Sequence, residues 1–286
     1  MTGAPEKKLT VYTPQALLVG FGPILANAMQ EVWRSRYLIW KLFVRDFHAQ
    51  FRQRVLGYLW VIIAPFFAVF GFVLLHAAGI LAPGDTGVPY PLYVFVGLAT
   101  WNVLVATIMA VGNGLVLQGE LILKTNVPKI ALALAALAQV LYTVVIQLAT
   151  VAVLMLLSGV APHPASVLFI PALLPMLLLG LSVGLVTSAL GSIARDLASM
   201  IQTVLQLVMF LTPVIFVASS VGNPLIQALI WLNPLTYLVD LPRALLLYGS
   251  SPLWPQYLMV SAGTLVVAVL AIKAFYLVQD LVAERL

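Results

Sequence analysis

Cysteine is absent from this chain, and charge nearly so: Asp, Glu, Lys and Arg make up 8% of its 286 residues. Without a thiol there is no disulfide framework and no Cys-ligated metal or redox centre. Soluble domains carry roughly 25% charged residues, so a water-soluble fold is excluded as well. No G-x-x-x-x-G-K-[ST] occurs, so this chain cannot cradle nucleotide phosphates in a P-loop. No H-E-x-x-H occurs, and His48, His76 and His163 are scattered without carboxylates at ligand spacing. The apolar runs hold almost no ionisable side chains, where an ion- or proton-coupled pathway would place them. No catalytic constellation stands out, and the reading is of a transport subunit rather than an enzyme.

What is present is apolar: 63% of the residues are hydrophobic and the mean hydropathy is +1.09. A bilayer crossing needs about 20 mostly apolar residues. Six stretches qualify, at residues 56–81, 90–117, 130–157, 167–193, 200–217 and 257–278, which predicts an all-α polytopic membrane protein with six spans. Pro65, Pro171, Pro175 and Pro213 fall inside these spans, where neighbouring helices can re-satisfy the backbone. The apolar piece at residues 16–28 is short, broken by Gly and Pro, and leads into Trp33 and Arg34 rather than a cleavage site, so a cleavable signal peptide is not expected.

The net charge of +5 is unevenly placed. Eight of the 14 Lys and Arg residues lie at or before Arg54. With both termini cytoplasmic, the inner connections and tail also receive Lys124, Lys129, Arg195, Lys273 and Arg285, so that 13 of the 14 fall on one side and Arg243 alone lies outside. The positive-inside rule favours that orientation, and it turns the charge toward a membrane surface rather than nucleic acid.

Two regions depart from simple spans. Residues 36–53 form an amphipathic helix, with Trp40, Phe43, Val44, Phe47 and Phe51 on one face and Lys41, Arg45, His48 and Arg52 on the other. Such a helix lies in the headgroup plane. Gly57 then allows a tight corner, and Tyr58 and Trp60 fall at headgroup depth. Arg52 and Arg54 sit where a lipid phosphate, or a phosphate-linked carrier, would lie; ordinary snorkelling is the alternative. Residues 219–255 are too apolar for an ordinary loop, and Asn233-Pro234 and Pro242 divide them into pieces too short to cross. Short re-entrant helices at a gate, or simple interfacial packing, would account for them.

The polar residues at mid-span are neutral: Asn102, Thr107, Gln139, Gln147, Gln202 and Gln206. Interhelical hydrogen bonding is their default role. A neutral interior with aromatics suits a hydroxyl-rich passenger better than an ion, with energy supplied by a separate ATPase. Tyr58, Phe66, Phe70, Tyr93, Phe95 and Trp101 are candidates to stack on sugar faces along such a path. Asp85, in Pro-Gly-Asp-Thr-Gly, reads as a turn residue.

Five blocks, in order, resemble the type-two ABC exporter permeases that move bacterial polysaccharides. They are Arg45-Asp46 with residues 51–60 and Pro65; Leu121 to Lys124 with Val127-Pro128-Lys129; Arg195-Asp196; Thr212-Pro213-Val214; and Asn233-Pro234-Leu235-Thr236 with Arg243. Where members of that family often carry an aromatic before the Pro-Arg/Lys pair, this chain has Asn126-Val127. The resemblance implies a cytoplasmic segment at 1–33, a permease domain over 34–286 and an interface helix at 36–53. Arg45, Asp46, Lys124, Pro128, Lys129, Arg195 and Asp196 would couple to the ATPase. Pro213, Asn233, Pro234 and Arg243 would belong to outer gate helices. It further implies a homodimer in the bacterial inner membrane with two ATPase chains, ATP and Mg bound on those chains rather than here, and a lipid-linked polysaccharide as cargo. An exporter of a small lipid or drug is the nearest alternative, although residues 79–89 leave no room for a large outer domain. An intramembrane glycosyl or lipid transferase is the third; it would demand acidic or His residues converging near one face, and Asp85, Asp240 and His163 lie far apart in the sequence.

Overall fold

The computed structural model describes residues 21–52, 57–117, 129–191 and 196–285, and every regular element among them is helical. A long helix α1 (Phe21–Arg52) precedes α2 (Gly57–Ala77), α3 (Tyr90–Leu117) and α4 (Lys129–Leu157). A 3₁₀ turn (Pro164–Leu168) leads through the one-turn α5 (Phe169–Ala172) into α6 (Leu174–Gly191). Then come α7 (Leu197–Leu211), a second 3₁₀ turn (Ala218–Ser220), the short pair α8 (Pro224–Leu232) and α9 (Pro234–Leu247), and the long α10 (Trp254–Arg285). Among the described residues, four helical stretches are long and apolar enough to cross a membrane: Tyr90–Gly114, Lys129–Leu157, Pro164–Gly191 and Trp254–Val278.

The core forms around α3, which packs most extensively on α6 and α4. Apolar side chains alone do not drive helices together in lipid, so close packing must. On α6, Gly180 and Gly184 are one helical turn apart and both face α3. A Cβ on Gly180 would lie 2.7 Å from the Thr107 Cβ, and one on Gly184 would lie 2.7 Å from the Val111 Cβ. In return Gly112 of α3 faces Thr187 of α6. Four buried hydroxyls are satisfied within their own helices: Thr100, Thr107, Ser182 and Thr187 each donate to the carbonyl four residues earlier, whereas the buried Ser188 hydroxyl of α6 has no hydrogen-bond partner among the described residues.

Several sequence expectations change here. The amphipathic helix begins at Phe21 rather than residue 36, with Pro23 tolerated near its start. It has three faces rather than two: Leu38, Ile39 and Leu42 join a second core cluster with Phe275 of α10 and Ile130 of α4, while Trp33, Tyr37 and Trp40 stand exposed. The Tyr276 hydroxyl donates to the Glu31 carboxylate at 2.6 Å, fastening α1 to α10. Pro171 and Pro175 sit within short helical starts that divide one stretch, instead of kinking a continuous helix. The fifth predicted span ends at Leu211, not 217, because Pro213 lacks an N–H and turns Thr212 extended (φ −106°, ψ 137°). Asn233-Pro234 separates α8 from α9 as expected, but Pro242 does not break the chain and lies inside α9.

Candidate functional site

Beyond Leu211 the chain runs unwound from Thr212 to Val217, pressed against α3 at the end of the bundle that also carries the α8–α9 hairpin. Buried backbone outside a helix needs partners for its polar groups. Side chains supply them here. Arg243 Nη1 donates to the carbonyls of Pro213 at 2.8 Å and Val214 at 3.2 Å. The Tyr90 hydroxyl donates to the Ile215 carbonyl and the Tyr93 hydroxyl to that of Phe216, each at 3.0 Å. Four consecutive carbonyls are thus held by three side chains from α3 and α9.

Arg243 is 1% exposed. A buried guanidinium is tolerable only when its charge and donors are met. Its Nη2 pairs with Asp240, one turn earlier on α9, and its guanidinium carbon lies 4.0 Å from the Tyr93 ring centre, a cation–π contact. Gly97 makes the approach possible: a Cβ there would sit 2.1 Å from the Val214 carbonyl oxygen. The charge of Arg243 is therefore met within the chain itself.

The hairpin is tied to the same stretch. Thr212 Oγ1 donates to the Val208 carbonyl at 2.8 Å and accepts from Asn233 Nδ2 at 2.9 Å. Asn233 Oδ1 accepts from the Leu235 N–H at 3.0 Å, capping α9, and Pro234 occupies the first helical position, where a missing N–H is harmless. Thr236 Oγ1 donates back to the Ile230 carbonyl of α8. The loop before α3 is strapped on: Val217 N–H and Ser220 Oγ both donate to the Pro83 carbonyl, and the Tyr248 hydroxyl donates to Thr86 O.

A family model for the ABC-2 type transporter matches residues 37–247, well over half of the chain and including α3, the unwound stretch and the α8–α9 hairpin, which together form a hydrogen-bonded knot. The chain belongs to the ABC-2 type transporter family. It is accordingly a multi-pass membrane protein and the transmembrane subunit of a transporter of this class. It is also 25% identical over 223 residues to the O-antigen export system permease protein RfbA of Myxococcus xanthus, covering 77% of this chain and 84% of that one.

Within this ABC-2 chain, Pro213, Asn233, Pro234 and Arg243 converge on one knot, although up to thirty residues separate them. The aromatics divide. Tyr93 and Trp101, with Phe95, are core side chains whose rings are covered by the chain's own helices. Phe66 and Phe70 on α2 are exposed; the side chain of Tyr58 lies outside the described ones. Of the residues linked to coupling, Arg45 is exposed on α1, Lys129 opens α4, and Asp196 is exposed before α7 without capping it. Arg54, Lys124, Pro128 and Arg195 lie outside the described residues, as do the side chains of Asp46 and Arg52. Asp85 and His163 take local backbone contacts, from Gly87 N–H and Ala165 N–H.

The sequence reading passed over Gly97, took Tyr90 only as the start of a span, and weighed Asp240 only for the transferase alternative. Signals existed: two tyrosines three apart at a helix start, and an Asp–Arg pair at i,i+3 in an otherwise uncharged segment. It also undervalued one edge of α7. Ser199, Gln202, Thr203 and Gln206 recur at helical spacing and are all exposed, while Ile201, Leu205 and Val208 turn inward. Neither Gln202 nor Gln206 hydrogen-bonds another described residue.

Proposed function

We propose that this chain is the membrane half of an exporter that moves a lipid-linked polysaccharide, of O-antigen, capsule or teichoic-acid type, out of the cytoplasm. It pairs with a second copy of itself in a bacterial inner membrane. Two copies of a separate ABC ATPase bind ATP and Mg and dock on the cytoplasmic face near Arg45, Asp46, Lys129 and Asp196, together with Lys124, Pro128 and Arg195. Both termini are cytoplasmic, α2 and α7 complete six crossings, and α8–α9 dips into the outer leaflet as a re-entrant gate. Arg52 and Arg54 meet the phosphate of the lipid carrier.

The observation that carries this reading is the polar edge of α7. An amide left without partners in hydrocarbon costs several kcal/mol, so Gln202 and Gln206 belong against water or a hydroxyl-bearing chain. Two such edges facing each other make a neutral, wet conduit without fixed charge. A sliding polymer needs weak, repeated contacts of that kind, and the O-antigen export permease among its relatives supports the same cargo class.

The test is co-expression with the cognate ABC ATPase. A stable complex should co-purify in mild detergent, hydrolyse ATP, and restore surface polymer to cells lacking their own permease. The Arg52→Ala, Arg54→Ala double variant should assemble normally and lose most export. Separation of the two chains under mild conditions, or uphill transport by this chain alone without nucleotide, overturns the proposal; undiminished export by the double variant removes the phosphate role.

A further inference from the structure

The donors that hold the carbonyls of Pro213, Val214, Ile215 and Phe216 all come from α3 and α9, none from α7. The unwound stretch is therefore fastened to elements other than the helix it continues. On the other side of Thr212 the packing is sparse. Leu205 is the one buried side chain of α7, and an open apolar groove of about 480 Å³ separates its start from α6 and α10, with Ile201 and Val267 among the lining side chains.

We propose that Arg243, Tyr90 and Tyr93 are positioning residues that weld α3, the 212–218 stretch and the α8–α9 hairpin into one rigid frame, against which α7 swings about Thr212. The pivot follows from the bonding. Thr212 is extended, where helical geometry ends, and its hydroxyl is held by Asn233 of the frame. Hinges are a few residues at an element's end that absorb the backbone change. A swing of α7 about that point widens or narrows whatever its polar edge faces, while the frame keeps its shape. Arg243 suits the task because one planar fork serves two carbonyls, a carboxylate and a ring at once, which a lysine cannot do.

The frame is testable on the whole chain in membrane vesicles, whatever its cargo. The sequence has no cysteine, so Ala218→Cys places a single thiol at a buried site inside the frame. It should react slowly with a membrane-permeant maleimide. Adding Tyr90→Phe and Tyr93→Phe keeps both rings but removes two hydrogen bonds, so local opening and labelling should rise about tenfold or more. Arg243→Lys should act in the same direction. Gln206→Cys on α7, already exposed, should label at one rate in all backgrounds. Fast labelling of Ala218→Cys in the parent, or no change in the variants at equal membrane insertion, overturns the frame.

The swing has its own test, resting on the proposed exporter. With Ile201→Cys and Val267→Cys joined by a short bis-maleimide in the assembled complex, export should fall at least tenfold; export at the unbridged rate overturns the hinge. A complex that fails to export before bridging counts against the proposed function instead, and the labelling result stands apart from both.

Discussion

The stretches Tyr90–Gly114 of α3 and Trp254–Val278 of α10 are each 25 residues long, and their apolar 18-residue windows have mean hydropathies of 2.1 and 2.2, yet 67% of the first window is buried in the protein and 22% of the second. Hydropathy cannot distinguish them, because lipid and protein interior are equally apolar surroundings. The difference lies in the residues that permit contact. The α3 faces are met by glycines and hydroxyls that let backbones approach: Gly97 and Gly112 on α3, Gly180 and Gly184 on α6. The α10 helix has Gly263, but nothing lies within 4 Å of where its Cβ would be, and Leu258, Met259, Leu265 and Val266 stand open. Small residues bury a membrane helix only where another backbone comes to meet them.

The largest test of that contrast substitutes the same residue on each helix. Gly97→Ala would drive a methyl group into the Val214 carbonyl at 2.1 Å. Backbone must move, the Arg243 contacts to Pro213 and Val214 separate, and the expected loss is about 4 kcal/mol or more. Detergent-solubilised protein should show little of the wild-type melting transition. Gly263→Ala should be neutral or slightly stabilising, since alanine is the better helix former by roughly 1 kcal/mol. Similar behaviour of the two variants would break the comparison.

Much of the helical framework was legible in the sequence because each helix is a long apolar run bounded by Pro, Gly or charge. Helix α3 was delimited correctly at residues 90–117 by that criterion. What stayed hidden is which side of each run meets protein. A helix apolar all round carries no phase, so Tyr93 and Trp101 read as equally free to line a path as Phe66 and Phe70, and only tertiary packing separates them. The proline signals were ambiguous for a related reason. Pro213 and Pro242 look alike in sequence, but one lies in an unwound stretch whose carbonyls have outside donors, while the other continues a helix buried from Leu241 to Leu247. The motif blocks of the knot were visible singly. Their convergence was not, because contacts such as Tyr90 to Ile215 span 125 residues.

A smaller effect isolates the charge at the buried end of the comparison. Arg243→Met keeps most of the volume but leaves Asp240 without its cation and the carbonyls of Pro213 and Val214 without donors. Removing one member of a buried pair typically costs about 3–5 kcal/mol; Asp240 is partly exposed and can recover some hydration, so about 3 kcal/mol is expected. The double variant Arg243→Met, Asp240→Leu should recover part of that loss, because no uncompensated charge remains. The melting temperatures of the two variants measure this directly. An Arg243→Met protein as stable as the parent would mean that the knot draws its strength from Tyr90 and Tyr93 alone.

The smallest effect is the most discriminating. Val94 on α3 is 0% exposed and Val266 on α10 is 59% exposed, and Val→Ala removes the same two methyl groups from each. In a water-soluble protein the buried change would cost about 2 kcal/mol, mostly as lost apolar transfer at roughly 0.8 kcal/mol per methylene. A bilayer removes that contribution, since the unfolded reference is also in hydrocarbon, and leaves only lost dispersion contacts and the cavity. Val94→Ala should therefore cost about 1 kcal/mol, and Val266→Ala under about 0.5 kcal/mol, because lipid closes over the missing methyls where a packed core cannot. Both can be read from unfolding in mixed micelles. Equal costs at the two sites would mean that packed protein rather than fluid lipid covers that face of α10, and the open side of the bundle would then be where a second copy sits.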